Sequence, residues 1–195
     1  NNQLLLSGKK PNQLHNNCSG KHLAMIAGCL SNNMKISNYI EFDHPYQKEI
    51  RRCLEYFTQE KIIKKQIGID GCSAPQYAFK LKNLSTSMIR LLKNYKEDNL
   101  YSKEIKILLE SILKYPELTG SKSIYPSQLI SETNGKVFCK GGAEGILLFA
   151  HIEKKIGGII KVSDGNERAL PSIANEIFKK LDILSRKELK NLSTA

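Results

Sequence analysis

Apolar residues recur at helical spacing in five stretches of the chain. From Ser19 onward Leu23, Ile26, Ala27 and Leu30 fall on one helical face, with Gly20 just inside the start and Ser31-Asn32-Asn33 as the stop. Asp43-His44-Pro45 supplies a cap and a first-turn proline, after which Tyr46, Ile50, Cys53, Leu54 and Phe57 repeat at the same spacing. Leu84, Met88, Leu91 and Leu92 mark a third helix. Ile105, Leu108, Leu109 and Ile112 mark a fourth, with Ser102 as its expected cap and Pro116 as its end. A last helix starts at Pro171, and its expected apolar face is Ile173, Ile177, Phe178, Leu181 and Leu184.

Between these stretches the pattern changes. Leu4-Leu5-Leu6, followed by Gly8 and Pro11, reads as a strand end running into loop. The segment from Ile67 to Pro75 carries two glycines and a proline, which exclude a helix and predict a strand entering a sharp turn. Residues 136–140, 145–150 and 156–162 alternate or run apolar over strand lengths. Glycines lie in the first connection and Glu153-Lys154-Lys155 in the second, so they predict an antiparallel meander. The expected class is α+β, a single domain over residues 1–195 with helices packed on an antiparallel sheet. Three strands are few for so many helices, and the domain is expected to be incomplete, with further strands from a preceding segment or a partner.

Composition narrows the function classes. The 30 Lys+Arg against 19 Asp+Glu give a formal charge of +11, which raises nucleic acid as a partner. The charge is mostly lysine spread along helices, arginine is scarce and tryptophan absent, so the arginine forks and stacking platforms of nucleic-acid readers are missing. A basic nucleic-acid-binding protein therefore stays a minor alternative. Five cysteines, an odd number without regular spacing, fit a reducing compartment, and cytoplasm is the expected location. No apolar run approaches the roughly 18 residues of a membrane span. The first residue is Asn1 rather than Met, which a fragment or a processed product would explain.

Chemistry concentrates in three places. In His15-Asn16-Asn17-Cys18-Ser19-Gly20-Lys21-His22, a loop turns into a helix. Unpaired N–H groups at a helix N-terminus lower a thiol pKa, so Cys18 is expected to be partly thiolate, with Lys21 on the same face. A capped helix with a buried cysteine and an exposed lysine satisfies the same residues. The second place is Gly68-Ile69-Asp70-Gly71-Cys72. The third is Phe138-Cys139-Lys140-Gly141-Gly142-Ala143-Glu144-Gly145, where a lysine at a strand end aims its ammonium beside bare backbone. A plain hairpin reads the same way.

These runs, with Ser73-Ala74-Pro75 after the second and Lys161-Val162-Ser163-Asp164-Gly165-Asn166-Glu167-Arg168-Ala169 further on, resemble the Rhizobium-type L-asparaginase II family in order and approximate spacing, over nearly the whole chain. The resemblance implies a fold like that of penicillin-binding proteins and serine β-lactamases, and hydrolysis of L-asparagine to L-aspartate and ammonia. It implies a zinc site made by Cys18, Lys21 and Cys72. Two sulfurs and one nitrogen with an open fourth position suit zinc. Asp70 would orient the bound ligand or the substrate amine, and Lys140 would match a lysine near the active site.

The family's nucleophilic Ser-x-x-Lys elements are expected upstream of Asn1, which would leave this chain inactive alone. Ser7-Gly8-Lys9-Lys10 has the spelling, but Gly8 and Pro11 disfavour the helical turn that would join Ser7 to Lys10. Lys122 stands where the resemblance leads one to expect arginine. Alternatives are another serine acyl-transfer hydrolase of the same fold group, acting without zinc, and a non-catalytic zinc-binding fragment. The expected partner is the small-molecule substrate L-asparagine, with no nucleic acid and no membrane, and with a homodimer left open. Cys29, Cys53 and Cys139 are expected to be structural.

Overall fold

The computed structural model describes residues 2–193, arranged in two compact units. The first comprises Asn1–Tyr56 and Glu60–Ala78, the second Phe57–Gln59 and Phe79–Ala195.

The first unit opens with a short helix, α1 (Asn2–Leu6), where the leucine run had suggested a strand end. A run of three leucines carries no periodicity of its own, and Gly8, at φ +72°, closes the turn by donating to the Leu5 carbonyl. Helix α2 (Ser19–Ser31) and helix α3 (Pro45–Thr58) follow. His44 caps α3, its Nδ1 accepting from the Tyr46 N–H at 3.1 Å, ahead of the first-turn Pro45.

Helix α2 buries Met25 and Cys29, while Leu23 and Leu30 of the expected face are 54% and 61% exposed. The sequence from Leu23 to Leu30 is apolar almost all round, so its period does not choose a face. Packing does: a Cβ on Gly28 would lie 2.1 Å from the Tyr46 hydroxyl, so this turn of α2 stays bare where α3 passes. Between the helices lies Gln47, 1% exposed. Its amide donates to the Tyr39 carbonyl at 2.9 Å and to Met25 Sδ at 3.3 Å, and its Oε1 accepts from the Tyr77 hydroxyl at 3.2 Å. A two-stranded hairpin, β1 (Ile67–Ile69) and β2 (Pro75–Tyr77), completes the unit.

The second unit is built on an open antiparallel sheet of β3 (Val137–Gly142), β4 (Ile146–His151) and β5 (Ile156–Lys161), in that order. The meander lies within a residue or two of the predicted positions. Both faces are covered. Val137, Cys139, Leu147, Phe149 and Ile160 point to one side, where they join Leu129, Ala174, Phe178 and Leu192 in a core. Those partners come from α6 (Tyr125–Glu132), α7 (Leu170–Lys180) and α8 (Arg186–Ser193). Phe138 and Ala150 point to the other side, against Met88 and Leu92 of α4 (Leu81–Lys96) and Ile105 and Leu109 of α5 (Ser102–Lys114). Gly157, paired with Ala150, lies on this second face, where a Cβ would come within 2.9 Å of the Met88 Cβ. The architecture is thus α+β, a helix layer on each side of a small sheet.

Three expectations change. Ser102 is the first residue of α5 rather than its cap: its hydroxyl donates to the Glu97 carbonyl and accepts from the Asn99 N–H, each at 2.6 Å, tying down the preceding loop. Of the face expected for α7, Phe178 is fully buried beside Leu170 and Ala174, and Leu184 just past the helix is buried too, while Ile173 and Leu181 are 36% and 45% exposed. Helices α6 and α8 add to those the periodicity predicts. Pro126 in the first turn of α6 and the pair Ser185 and Glu188 at α8 are their local signals. Ser185 N–H donates to Glu188 Oε2 at 2.7 Å and Glu188 N–H to Ser185 Oγ at 3.3 Å, a reciprocal cap.

No helix among the described residues is long and apolar enough to cross a membrane.

Candidate metal and active site

In the first unit two local structures bring the cysteine motifs together. Asn12 caps a 3₁₀ turn at Gln13–His15, and Asn16 then accepts the Cys18 N–H on Oδ1 at 2.8 Å, turning the chain into α2 with Cys18 at the N-cap. The hairpin turn between β1 and β2 is built on Asp70, whose Oδ1 accepts the N–H groups of Cys72 and Ala74, both at 3.0 Å. Ser73, at φ +69°, donates back to the Asp70 carbonyl. This turn carries Cys72 to the start of α2. The Cys18 and Cys72 sulfurs and an Asp70 carboxylate oxygen all lie within 4.8 Å of one another.

Lys21, one turn along α2, ion-pairs with Asp70 Oδ2. Gln76 donates to the same oxygen at 3.0 Å, and Cys72 Sγ donates to Oδ1 at 3.0 Å. These contacts, the Cys72 thiol first and the Lys21 ammonium second, hold the Asp70 carboxyl well below the usual carboxylate range against the opposing effect of burial. Burial of Lys21 works to lower its pKa, but hydrogen bonds to Asp70 and Cys72 raise it above the ordinary value.

Cys18 departs from expectation. Its thiol is pushed up rather than down, first by its hydrogen bond with Cys72, then by desolvation and by the charges of Cys72 and Asp70, with Lys21 alone opposing. The helix N-terminus does not prevail because a second thiol and a carboxylate crowd the same spot. Three groups able to carry negative charge thus face one ammonium. A dication is the species that would let both thiols ionise together.

Asp70 makes the turn depend on pH. Its folded-state pKa is depressed, so between that value and an unfolded value of about 3.9 the unfolded chain binds more protons and stability falls as pH falls. Above about pH 4 the stabilisation is fully present. Asp70→Asn keeps the amide oxygen that accepts from Cys72 and Ala74 but removes the charge facing Lys21. In chelator-treated protein we expect it to lower the urea midpoint at neutral pH and to flatten the acid limb of stability; an unchanged acid limb would show that this ion pair contributes nothing.

The remaining cysteines lie elsewhere. Cys29 and Cys139 are fully buried, and burial drives the Cys139 and Cys53 thiols upward. In chelator-treated protein Cys18 and Cys72 should react with a maleimide ahead of Cys29, Cys53 and Cys139, read by mass spectrometry of digests. Labelling in the reverse order would contradict the structural role given to those three.

Lys140 belongs to the second unit. It stands on β3 opposite Leu148, exposed, with its ammonium donating to the Gly141 carbonyl. Beyond it Ala143-Glu144-Gly145 closes the hairpin with Glu144 and Gly145 at φ +64° and +66°. A Cβ on Gly145 would meet Val162 at 2.9 Å and Gly165 at 3.2 Å, and Val162 donates to the Gly145 carbonyl at 2.8 Å. The two glycine-bearing motifs of this unit, 140–145 and 161–169, are therefore in contact. Asn166 and Asp164 order the second: Asp164 accepts from the Asn166 N–H at 2.9 Å and pairs with Arg168 at 2.8 Å.

All four motifs are ordered structures, and a family model describes the chain that carries them, matching L-asparaginase II over residues 1–195. The chain belongs to the L-asparaginase II family. No curated protein sequence matches it significantly. Membership in the asparaginase family makes this a hydrolase-type chain with a small-molecule amide as the substrate class.

Two residues beside this cluster have no assignable role in the sequence pattern. His22 follows Lys21 in the motif, and its Nε2 lies 2.9 Å from Cys72 Sγ while its Nδ1 lies 2.6 Å from the Tyr39 hydroxyl. No spacing signal links Tyr39 to either. A pocket of about 530 Å³ opens beside them, lined among others by Gln13, Leu14, Asn16, His22, Tyr39 and Cys72. Its volume falls in the range of small-molecule sites.

Proposed function

We propose that the protein hydrolyses L-asparagine to L-aspartate and ammonia, with zinc held by Cys18, Lys21 and Cys72. The observation that carries the reading is the convergence of both cysteines, Lys21 and Asp70 within a chain whose whole length matches the L-asparaginase II family. The donor set fits the metal. Two thiolates with one nitrogen or carboxylate oxygen are the soft and borderline donors zinc takes, and an open position is left for a ligand.

When bound, zinc would supply Lewis acidity toward an amide or carboxylate oxygen. The protein's own residues do the rest. Cys18 and Cys72 would give up their protons to hold the ion, and Lys21 would ligate only by releasing its own proton and its partner Asp70. Asp70 would then be left as an ionised carboxylate, which suits the α-ammonium of an amino-acid substrate. The neighbouring pocket presents the side chains of Asn16, Gln13 and Tyr39 for the polar ends of a small amino acid. Lys140 supplies a fixed positive charge beside the bare backbone of Gly141 and Gly142, a setting for an anionic group.

The attacking serine is not Ser7. Its hydroxyl donates to the Leu4 carbonyl at 2.7 Å, at the end of α1, and Gly8 takes a left-handed turn between it and Lys10. We propose, on the family resemblance alone, that the nucleophile and its base are supplied by Ser-x-x-Lys elements preceding Asn1. The measurement is ammonia release from L-asparagine, made on the 195-residue chain with zinc, on its Ser7→Ala variant, and on the chain joined to any sequence preceding Asn1 in its gene. We expect activity only in the last, since losing a placed nucleophile and proton acceptor costs many powers of ten in rate. Turnover by the 195-residue chain that Ser7→Ala abolishes would make Ser7 the nucleophile. Turnover that it leaves unchanged would point to direct attack by water.

A further inference from the structure

We propose that His22 is the positioning residue for Cys72, donating a hydrogen bond from Nε2 to its sulfur while Nδ1 accepts from the Tyr39 hydroxyl. The inference rests on the metal-site reading above. His22 sits one helical turn after Cys18, its N–H donating to the Cys18 carbonyl at 3.1 Å, so the backbone that places one cysteine also places the ring that meets the other.

The geometry distinguishes a hydrogen bond from ligation. His22 Nε2 lies 2.9 Å from Cys72 Sγ, yet His22 stands outside the set of donors that lie within 4.8 Å of one another, which is Cys18, Asp70 and Cys72. Cys72 Sγ already donates to Asp70 Oδ1 at 3.0 Å, so the hydrogen in its contact with His22 comes from the ring. With Nε2 carrying the hydrogen, Nδ1 is the acceptor and the Tyr39 hydroxyl at 2.6 Å donates to it.

Tyr39 is itself held. Its ring stands edge-on to His22, with centroids 5.7 Å apart at 84°, and its carbonyl accepts from buried Gln47 at 2.9 Å. Gln47 in turn accepts from the Tyr77 hydroxyl on β2, the strand that leaves the Cys72 turn. The chain from Tyr77 through Gln47, Tyr39 and His22 to Cys72 starts and ends on the same hairpin. It gives the sulfur a second polar contact besides the one with Asp70. Hydrogen bonds to a ligand sulfur withdraw charge from it and set its direction, and losing such a partner costs typically 10- to 100-fold in metal affinity.

The test uses the 195-residue chain with cobalt(II) in place of zinc, reading the sulfur-to-cobalt charge-transfer band, and zinc affinity by competition with a chromophoric chelator. His22→Leu is expected to move the band to lower energy, because the sulfur becomes more electron-rich, and to weaken zinc binding about 10- to 100-fold. His22→Gln, which keeps an amide N–H near the Nε2 position, is expected to restore most of both. Tyr39→Phe should fall between. In a Cys72→Ser background His22→Leu should have no further effect on the remaining band, whereas in a Cys18→Ser background it should keep its full effect. A His22→Leu protein with the band and affinity of the parent, or a His22→Gln protein no better than His22→Leu, overturns the proposal. A parent protein without any thiolate-to-cobalt band overturns the metal reading itself, and the role of His22 with it.

Discussion

Cys72→Ser is expected to lower zinc affinity by more than about a hundredfold, a larger loss than any change in the surrounding shell produces. The serine hydroxyl is not ionised at neutral pH and is a harder donor, so one of the two proposed sulfur ligands would be lost outright. The fold should survive. Cys72 is only half-buried at the tip of a turn whose backbone is held by the Asp70 carboxylate, and its N–H keeps that bond whatever its side chain. Affinity is read by chelator competition and folding by the circular dichroism of the metal-free protein. Stoichiometric zinc retained at parental affinity would remove Cys72 from the ligand set.

Phe178→Ala is expected to destabilise the second unit by about 3–5 kcal/mol, the largest effect on folding from any single side chain considered. Phe178 is fully buried, packs edge-on to Phe149 of β4 with ring centroids 4.8 Å apart, and joins α7 to the sheet through the core that also takes in Leu129, Leu147 and Leu192. Removing the ring forfeits both its burial and that aromatic pair, worth about 0.5–1.5 kcal/mol by itself. For a chain of this size the melting temperature should fall by roughly 10 °C. A change below about 1 kcal/mol would mean that neighbours collapse into the space, which the rigid strand at Phe149 disfavours. Lys140 stands on β3 of the same sheet, so its presentation depends on this core.

What could be read from the sequence follows from how local each signal is. The meander over 137–161 was legible because alternation and glycine-bearing turns act within a few residues, and because the register follows from the hairpin loops. The face of α2 was not legible. Its sequence is apolar on both sides, and the choice is made by Tyr46 passing Gly28, a contact between helices. The reciprocal cap of α8 is spelled by Ser185-Arg186-Lys187-Glu188, but its apolar run is too short to announce a helix by period. At the site, Cys18, Lys21, Asp70 and Cys72 stand out in contiguous motifs. The raised Cys18 thiol and the His22–Tyr39 contact do not, since each arises from residues brought together by the hairpin and by Gln47.

The most direct test of the proposed zinc site is X-ray absorption at the zinc edge on protein purified with metal and freed of excess by gel filtration. One zinc per chain with two sulfur neighbours near 2.3 Å and lighter donors completing four is the result predicted for Cys18, Cys72 and Lys21. A site with nitrogen and oxygen neighbours alone, or zinc well below one per chain, would contradict it.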